Sequence, residues 1–322
     1  MALLALLRDD FRAGLARTDA AYRQRHARWL TGRQLPDGGF ANRRGNSDLY
    51  YTAFALRGLS LLEGLTPDVA RAAAGRAAAL FRQDEAARIR QPGGAFCDAV
   101  LALSWWDALA LCDETLGPQL SPEESAAARQ ATRARLDSLR RPDGGWAKTD
   151  VDAAGSLYHT FLAACVYLRT GQTLPQAERA AEFLKSLAQA DGGFLENRYS
   201  KRPGTNGCAA GVGLSVLLGE VNGLERHAAF IAALQDPDGG FRATAAAPLP
   251  DLLSTYTALV TLKLLGKLEP PAATAAARFG RSLESAQGGY TGFALDTTAD
   301  CEYAFYGLSV EGLTASAVAA QP

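Results

Sequence analysis

The chain has 322 residues, 48% of them hydrophobic and 21% charged, enough to bury a large core and to exclude a disordered, collagen-like or fibrous protein. Lys and Arg number 33 against 34 Asp and Glu, a formal charge of -1, so no overall basic field gathers nucleic acid or an anionic membrane. The five cysteines (Cys97, Cys112, Cys165, Cys208, Cys301) are an odd number without a CxxC pair, which argues for free thiols rather than a disulfide framework or zinc finger.

The opening apolar stretch, Met1 to Leu7, has no basic residue before it and meets Arg8 and Asp9 too soon for a signal peptide or a spanning helix. A cytoplasmic protein without a membrane span is expected. Gly-Gly pairs then recur at Gly38-Gly39, Gly93-Gly94, Gly144-Gly145, Gly192-Gly193, Gly239-Gly240 and Gly288-Gly289, an array with a period near fifty residues. Five pairs are followed at once by an aromatic (Phe40, Trp146, Phe194, Phe241, Tyr290), and the second has Phe96 one place later. Glycine permits the positive φ of a tight turn, and the aromatic anchors that turn to the core.

After each turn comes a polar stretch and then an apolar run at near-helical spacing, from Tyr51-Phe54-Leu56-Leu59 in the first repeat to Tyr303-Phe305-Tyr306-Leu308 in the sixth. More polar amphipathic segments precede most turns, among them Val69 to Arg82, Ser121 to Arg140, Gln176 to Gln189 and Pro271 to Ala286. Each repeat is therefore a helix pair, one member buried and one with a wet face. Propeller blades of similar period would need several strands alternating with period two, and these are missing. An open solenoid would need polar end caps, yet the last repeat carries Tyr290, Phe293, Tyr303, Phe305 and Tyr306. The expected fold is all-α: a closed (α/α)6 toroid over residues 1–322, a single domain with the apolar helices inside.

The pattern Asp-Gly-Gly-Phe, a polar stretch, Asp-x-x-(aromatic or His)-Thr and a helix ending in Leu-Gly resembles the prenyltransferase and squalene-cyclase repeat superfamily. Its best examples are Gly38-Gly39-Phe40 to Asp48-Leu49-Tyr50-Tyr51-Thr52, and Gly239-Gly240-Phe241 to Asp251-Leu252-Leu253-Ser254-Thr255 with Leu265-Gly266. Six repeats in one short domain are similar to the β subunit of protein prenyltransferases. The resemblance implies parallel inner helices whose N-termini share one rim, where dipoles and free N–H groups favour an anion such as diphosphate. It also implies an isoprenoid or prenyl diphosphate in the lumen, and pairing with a helical partner subunit or a second copy. Tyr51, Trp106, Tyr158, Tyr256 and Tyr303, with Tyr50, Trp105, Phe161 and Tyr306, are the expected wall; packing of inner on outer helix is the competing use of each.

The family's zinc is held by Asp-x-Cys and by a His one repeat later. Here the matching positions read Asp251, Leu253 and Tyr303, and one repeat earlier Asn206, Cys208 and Ser254. Tetrahedral zinc needs three or four protein ligands, so no metal of this type and no cofactor is expected; a rebuilt site from His159, Cys208, Cys301, Asp251 and Asp300 is the alternative. His159 is the one histidine on an inner helix and a candidate general acid or base, whereas His26 and His227 fall on polar outer segments. Arg198, Lys201 and Arg202 form the best cation cluster for a diphosphate, or else a solvated loop.

Cyclases of the superfamily protonate an alkene or epoxide with the central Asp of Asp-x-Asp-Asp-Thr-Ala. In Asp48-Leu49-Tyr50-Tyr51-Thr52-Ala53 both later acids are tyrosines, whereas Asp300-Cys301-Glu302 puts Glu302 at the acid's position and Asp150-Val151-Asp152 offers Asp152. Asp48, Asp251 and Asp300 each stand just before an expected helix, so capping is their alternative role. Three functions remain open: prenyl transfer without the family's zinc, acid-initiated cyclisation, and a non-enzymatic scaffold.

Overall fold

A computed structural model describes residues 2–83 and 96–319; the second turn, Gly93-Gly94, lies outside the described residues. The six apolar runs are helices: α3 (Leu49–Leu61), α5 (Ala99–Leu116), α7 (Leu157–Arg169), α9 (Thr205–Leu218), α11 (Leu252–Leu264) and α13 (Cys301–Ala319). The amphipathic segments are α2 (Ala20–Thr31), α4 (Pro67–Gln83), α6 (Pro122–Ser138), α8 (Ala177–Leu187), α10 (Glu225–Ala232) and α12 (Pro270–Ser282). Each inner helix packs on the next, and α13 packs on α3, so the inner ring is closed. The strands among the described residues are the two-residue β1 (Phe40–Ala41) and β2 (Ser47–Asp48), paired antiparallel across the first turn.

The repeat motif is explained by how turn and helix are tied together. Phe40, Trp146 and Phe241 each donate a backbone N–H to the Oγ1 of Thr52, Thr160 or Thr255 at 2.9 Å. Each of these hydroxyls in turn donates to the carbonyl of the residue four before it. The aromatics are fully buried, so an unmatched N–H there would cost about 1–3 kcal/mol. These links hold the first, third and fifth turns beside the N-termini of their inner helices and put those N-termini at one rim. The first glycine of a turn needs both its conformation and its lack of a side chain: Gly239 has φ +97, and a Cβ there would stand 2.2 Å from the carbonyl of Ala275 on the next outer helix.

Closure repeats this contact across the chain's ends. Gly288 and Gly289 of the sixth turn sit against Trp29 of α2, and the Gly289 N–H donates to Nδ1 of His26 at 3.0 Å. His26 also stacks on Tyr290 at 5.2 Å. His227 stacks on Phe194 at 4.5 Å and bonds the carbonyl of Gly192. Both histidines lie on outer helices, as expected, but are buried there on the faces that clamp a neighbouring turn.

An additional helix, α1 (Ala2–Leu15), crosses the opposite end of the ring. It buries Leu7, Phe11 and Leu15 and binds the C-terminal parts of four inner helices. Arg8 pairs with Glu114 at 2.8 Å, Asp10 with Lys263 at 3.2 Å, and Arg12 donates to the Ser60 carbonyl at 2.9 Å. Gly14 meets Gly312 so closely that a Cβ would stand 1.8 Å from its carbonyl oxygen. The end of the ring opposite the rim of helix N-termini is thus covered by α1.

Candidate active site

The rim aspartates are helix caps first. Asp48 accepts the Tyr50 N–H at 2.9 Å, Asp98 that of Leu101 at 2.9 Å, Asp251 that of Ser254 at 2.7 Å, and Asp300 that of Tyr303 at 2.9 Å. Such caps contribute about 0.5–2 kcal/mol each. Asp251 also accepts the Ser254 hydroxyl at 2.8 Å. Asp300 is bound by Arg43 at 2.5 Å, and the same guanidinium holds Asp296 at 2.8 Å, so this pair latches the first repeat to the last.

Glu302 differs from all of these. It stands one residue into α13 and makes no capping bond; its Oε1 accepts the phenol of Tyr50 at 2.7 Å and that of Tyr306 at 3.1 Å. Its Oε2 has no hydrogen-bond partner among the described residues. Burial pushes the Glu302 carboxyl above the ordinary range and outweighs the two phenols, which pull it down. Tyr158, on the helix across the ring from α13, is close enough for Glu302 to raise its phenol, after burial, to about 12. Groups from α3 and α13 therefore meet at Glu302.

Below Glu302 the wall is aromatic. Tyr256 stacks on Tyr306 at 4.8 Å and lies edge-on to Phe305 at 5.6 Å. Phe54 contacts Tyr50, Phe305 and Tyr306 at 4.8, 5.5 and 5.3 Å, and Phe11 of α1 reaches Tyr256 from the floor at 6.3 Å. Tyr51 and Tyr303 belong to the rim, Tyr303 beneath the Arg43 guanidinium at 5.3 Å. Trp106, expected in this wall, is instead a packing residue: its indole donates to Thr132 of α6 at 3.0 Å. Trp105 does the same with Ala77 of α4. Both rings fill the gap between inner and outer helices, where an indole N–H must find a partner.

The other expected groups do not gather at Glu302. His159 bonds Ser156 through Nδ1 at 2.8 Å, and Ser156 also bonds Glu196. Ser156 has one proton; given to Glu196, it leaves Nδ1–H of His159 as the donor and Nε2 as the basic nitrogen. Burial lowers this imidazole, and the charges it feels are Asp98, Lys148 and Asp152 of the rim. Asp152 is exposed, and bonds from Thr149 hold its carboxyl down, the opposite of what a proton donor needs. Arg198, Lys201 and Arg202 are exposed on the loop before α9, where Arg198 is occupied by the Tyr199 phenol at 2.7 Å. Arg202 borders an outer groove of about 370 Å³ with Asp191, Phe230 and Thr244.

The positions matched in sequence to the zinc ligands of protein prenyltransferases are Asp251, Leu253 and Tyr303. Asp251 spends both oxygens on Ser254, and Leu253 and Tyr303 fill the positions of the other two ligands. Cys208 and Cys301 are fully buried. Among the described residues no three His, Cys, Asp or Glu side chains stand where they could hold a metal.

Sequence reasoning missed a second polar cluster deep in the ring. Asp107 of α5 accepts Nε of Arg57 (α3) at 3.2 Å and Nε of Arg169 (α7) at 2.7 Å. Part of the signal was present, since Arg57 is the one charge in the apolar run of α3 and Asp107 interrupts that of α5, whereas Arg169 ends α7.

The sequence matches the family of the prenyltransferase alpha-alpha toroid domain over residues 1–85, 101–241 and 213–320. No curated protein matches it. Among solved structures it is similar to the R337A variant of the type II terpene cyclase MstE from Scytonema in complex with geranylgeranyl dihydroxybenzoate (14% identity, 99% of each chain covered, TM-score 0.60). It is also similar to a protein from Actinoplanes (16%, 93% and 98%, 0.59), and to a glycosidase E335A variant in complex with glucose (13%, 95% and 100%, 0.57). Likeness at this identity speaks to the fold, and the same ring evidently serves different chemistries.

Proposed function

The chain belongs to the prenyltransferase alpha-alpha toroid domain family, and within that family we propose that it is a cyclase-like enzyme that starts ring formation by protonating a linear prenyl chain from Glu302. One observation carries this reading: a half-buried carboxyl, raised by burial, stands at the top of an aromatic well with one oxygen held by Tyr50 and Tyr306. A carboxylic acid works as a donor near neutral pH when its site keeps it protonated. The phenols on Oε1 stabilise the carboxylate left behind, while Oε2 is free to carry the proton.

The step balances as follows. The Oε2–H proton adds to the CH carbon of the terminal double bond, the alkene π pair forms the new C–H bond, and a tertiary cation remains on the dimethyl carbon. The next double bond supplies its π pair to close a ring, and the final cation loses a proton to water. Glu302 recovers its own proton from solvent at the open mouth. The faces of Tyr256, Tyr306, Phe54 and Phe305 suit the travelling positive charge, at about 0.5–2 kcal/mol per ring. Prenyl transfer of the zinc type has less support, because the ligand positions and the rim cations do not assemble beside this well. The Scytonema structure, which carries a geranylgeranyl substrate, is compatible with the reading without establishing it.

Mass spectrometry of products from farnesoic acid, farnesyl phosphate, geranylgeranyl phosphate and squalene tests the proposal. Cyclic isomers of at least one of the four are expected, with a rate about 10²–10⁴ lower in Glu302→Gln. Full activity of that variant would remove Glu302 as the acid.

A further inference from the structure

We infer that Arg57 and Arg169 form an anion site deep in the lumen, so that the substrate is a prenyl chain with a carboxylate or phosphate head pointing toward the floor. The inference rests on the lumen being the substrate chamber proposed above.

Arg57, Asp107 and Arg169 lie on three consecutive inner helices. Asp107 is shared: its Oδ2 takes Nε and Nη2 of Arg57, and its Oδ1 takes Nε and Nη2 of Arg169. Two guanidiniums against one carboxylate leave a surplus positive charge. Each Arg has used its Nε–Nη2 edge, and neither Nη1 has a hydrogen bond among the described residues. The two side chains are 21% and 23% exposed and the carboxylate 9%, so the cations, not the counter-ion, are what an incoming ligand meets.

The cluster faces inward. Arg57 lies over the Phe54 ring at 5.0 Å, and its charge acts on Tyr256 of α11, which is not a neighbour of α3 in the ring. Among the described residues Asp107 is the carboxylate that pairs with these two arginines, while Glu114, Asp10 and Glu302 bond Arg8, Lys263 and the two phenols. A forked guanidinium edge fits the paired oxygens of a carboxylate or phosphate. Arg57 is also seven residues below Tyr50 on α3, about 10 Å along the helix. An anion at the floor and a terminal alkene at Glu302 would therefore be about eight extended-chain bonds apart.

The test is binding of farnesoic acid, farnesyl phosphate and neutral farnesol to the full chain, followed by tyrosine and tryptophan fluorescence. Both anions should bind about tenfold or more tightly than farnesol, and their advantage should shrink with added salt. In Arg169→Gln, which leaves Asp107 paired to Arg57, the advantage should fall by about tenfold while farnesol affinity stays unchanged; Arg169→Lys should keep part of it. The tighter of the two anions identifies the headgroup. Equal affinity for all three ligands, or an equal loss for all three in Arg169→Gln, would overturn the site. Anion preference with no turnover leaves the site standing and removes the acid, whereas turnover of farnesol without anion preference removes the site alone.

Discussion

Glu302 and Asp300 are two positions apart on the same helix start, yet their surroundings set them to different work. Asp300 faces backbone N–H groups and Arg43, while Glu302 faces phenols and the well. This contrast makes a pH prediction. The folded Glu302 carboxyl sits above its ordinary range, so over that interval the folded chain holds a proton that the unfolded chain has lost. Its stabilising contribution is complete below the ordinary glutamate value and is lost as pH rises through the raised one. Gln at this position cannot titrate. The melting temperature of Glu302→Gln relative to the parent should therefore climb as pH rises from the ordinary glutamate value through the raised one, and a difference independent of pH would contradict the burial assigned to Glu302. Cyclising activity should decline with rising pH over the same interval. Position 302 was legible as a candidate acid from its place in the motif; that Tyr50 would be its partner was not, because that contact joins residues 252 apart in sequence.

At the scale of the element, the Gly-Gly turn is where sequence and structure agree most closely. Its glycines and aromatic are local to one repeat, and in the first, third and fifth repeats a threonine ties them to the inner helix, so the repeat is visible in sequence. Gly239→Ala should be costly, because it imposes φ +97 on a side chain whose Cβ would stand 2.2 Å from a backbone oxygen. About 2–5 kcal/mol is expected from strain and overpacking together. Gly266, at φ +63 with open space around it, should lose only about 1–2 kcal/mol as Ala. Urea denaturation of the two variants reads the difference, and equal losses would mean that conformation alone explains the glycines. What stayed hidden at this scale was the direction of a side chain on an apolar helix. Trp106 and Tyr256 look alike in sequence, but one packs outward on α6 and the other inward on Tyr306. The floor helix α1 was hidden too, since an apolar N-terminal stretch does not say which end of a ring it will cover.

For the whole molecule, closure is what turns six ordinary hairpins into a chamber. The contacts of α13 with α3, the sixth turn under α2 and the Arg43 latch all join the first repeat to the last. They bring Tyr50 and Glu302 together, and Arg57, Asp107 and Arg169 line up beneath them. The number of repeats and the ring could be inferred from the aromatic last repeat; the chemistry of the lumen required the ring itself. The most direct test of protonation inside that chamber is turnover of farnesoic acid and geranylgeranyl phosphate in deuterated water. One solvent deuterium should appear in each cyclic product molecule, on the ring CH2 formed by protonation of the terminal double bond, and the labelled product should all but vanish in Glu302→Gln. Cyclic product without solvent deuterium, or with the same labelling and yield in Glu302→Gln, would contradict it.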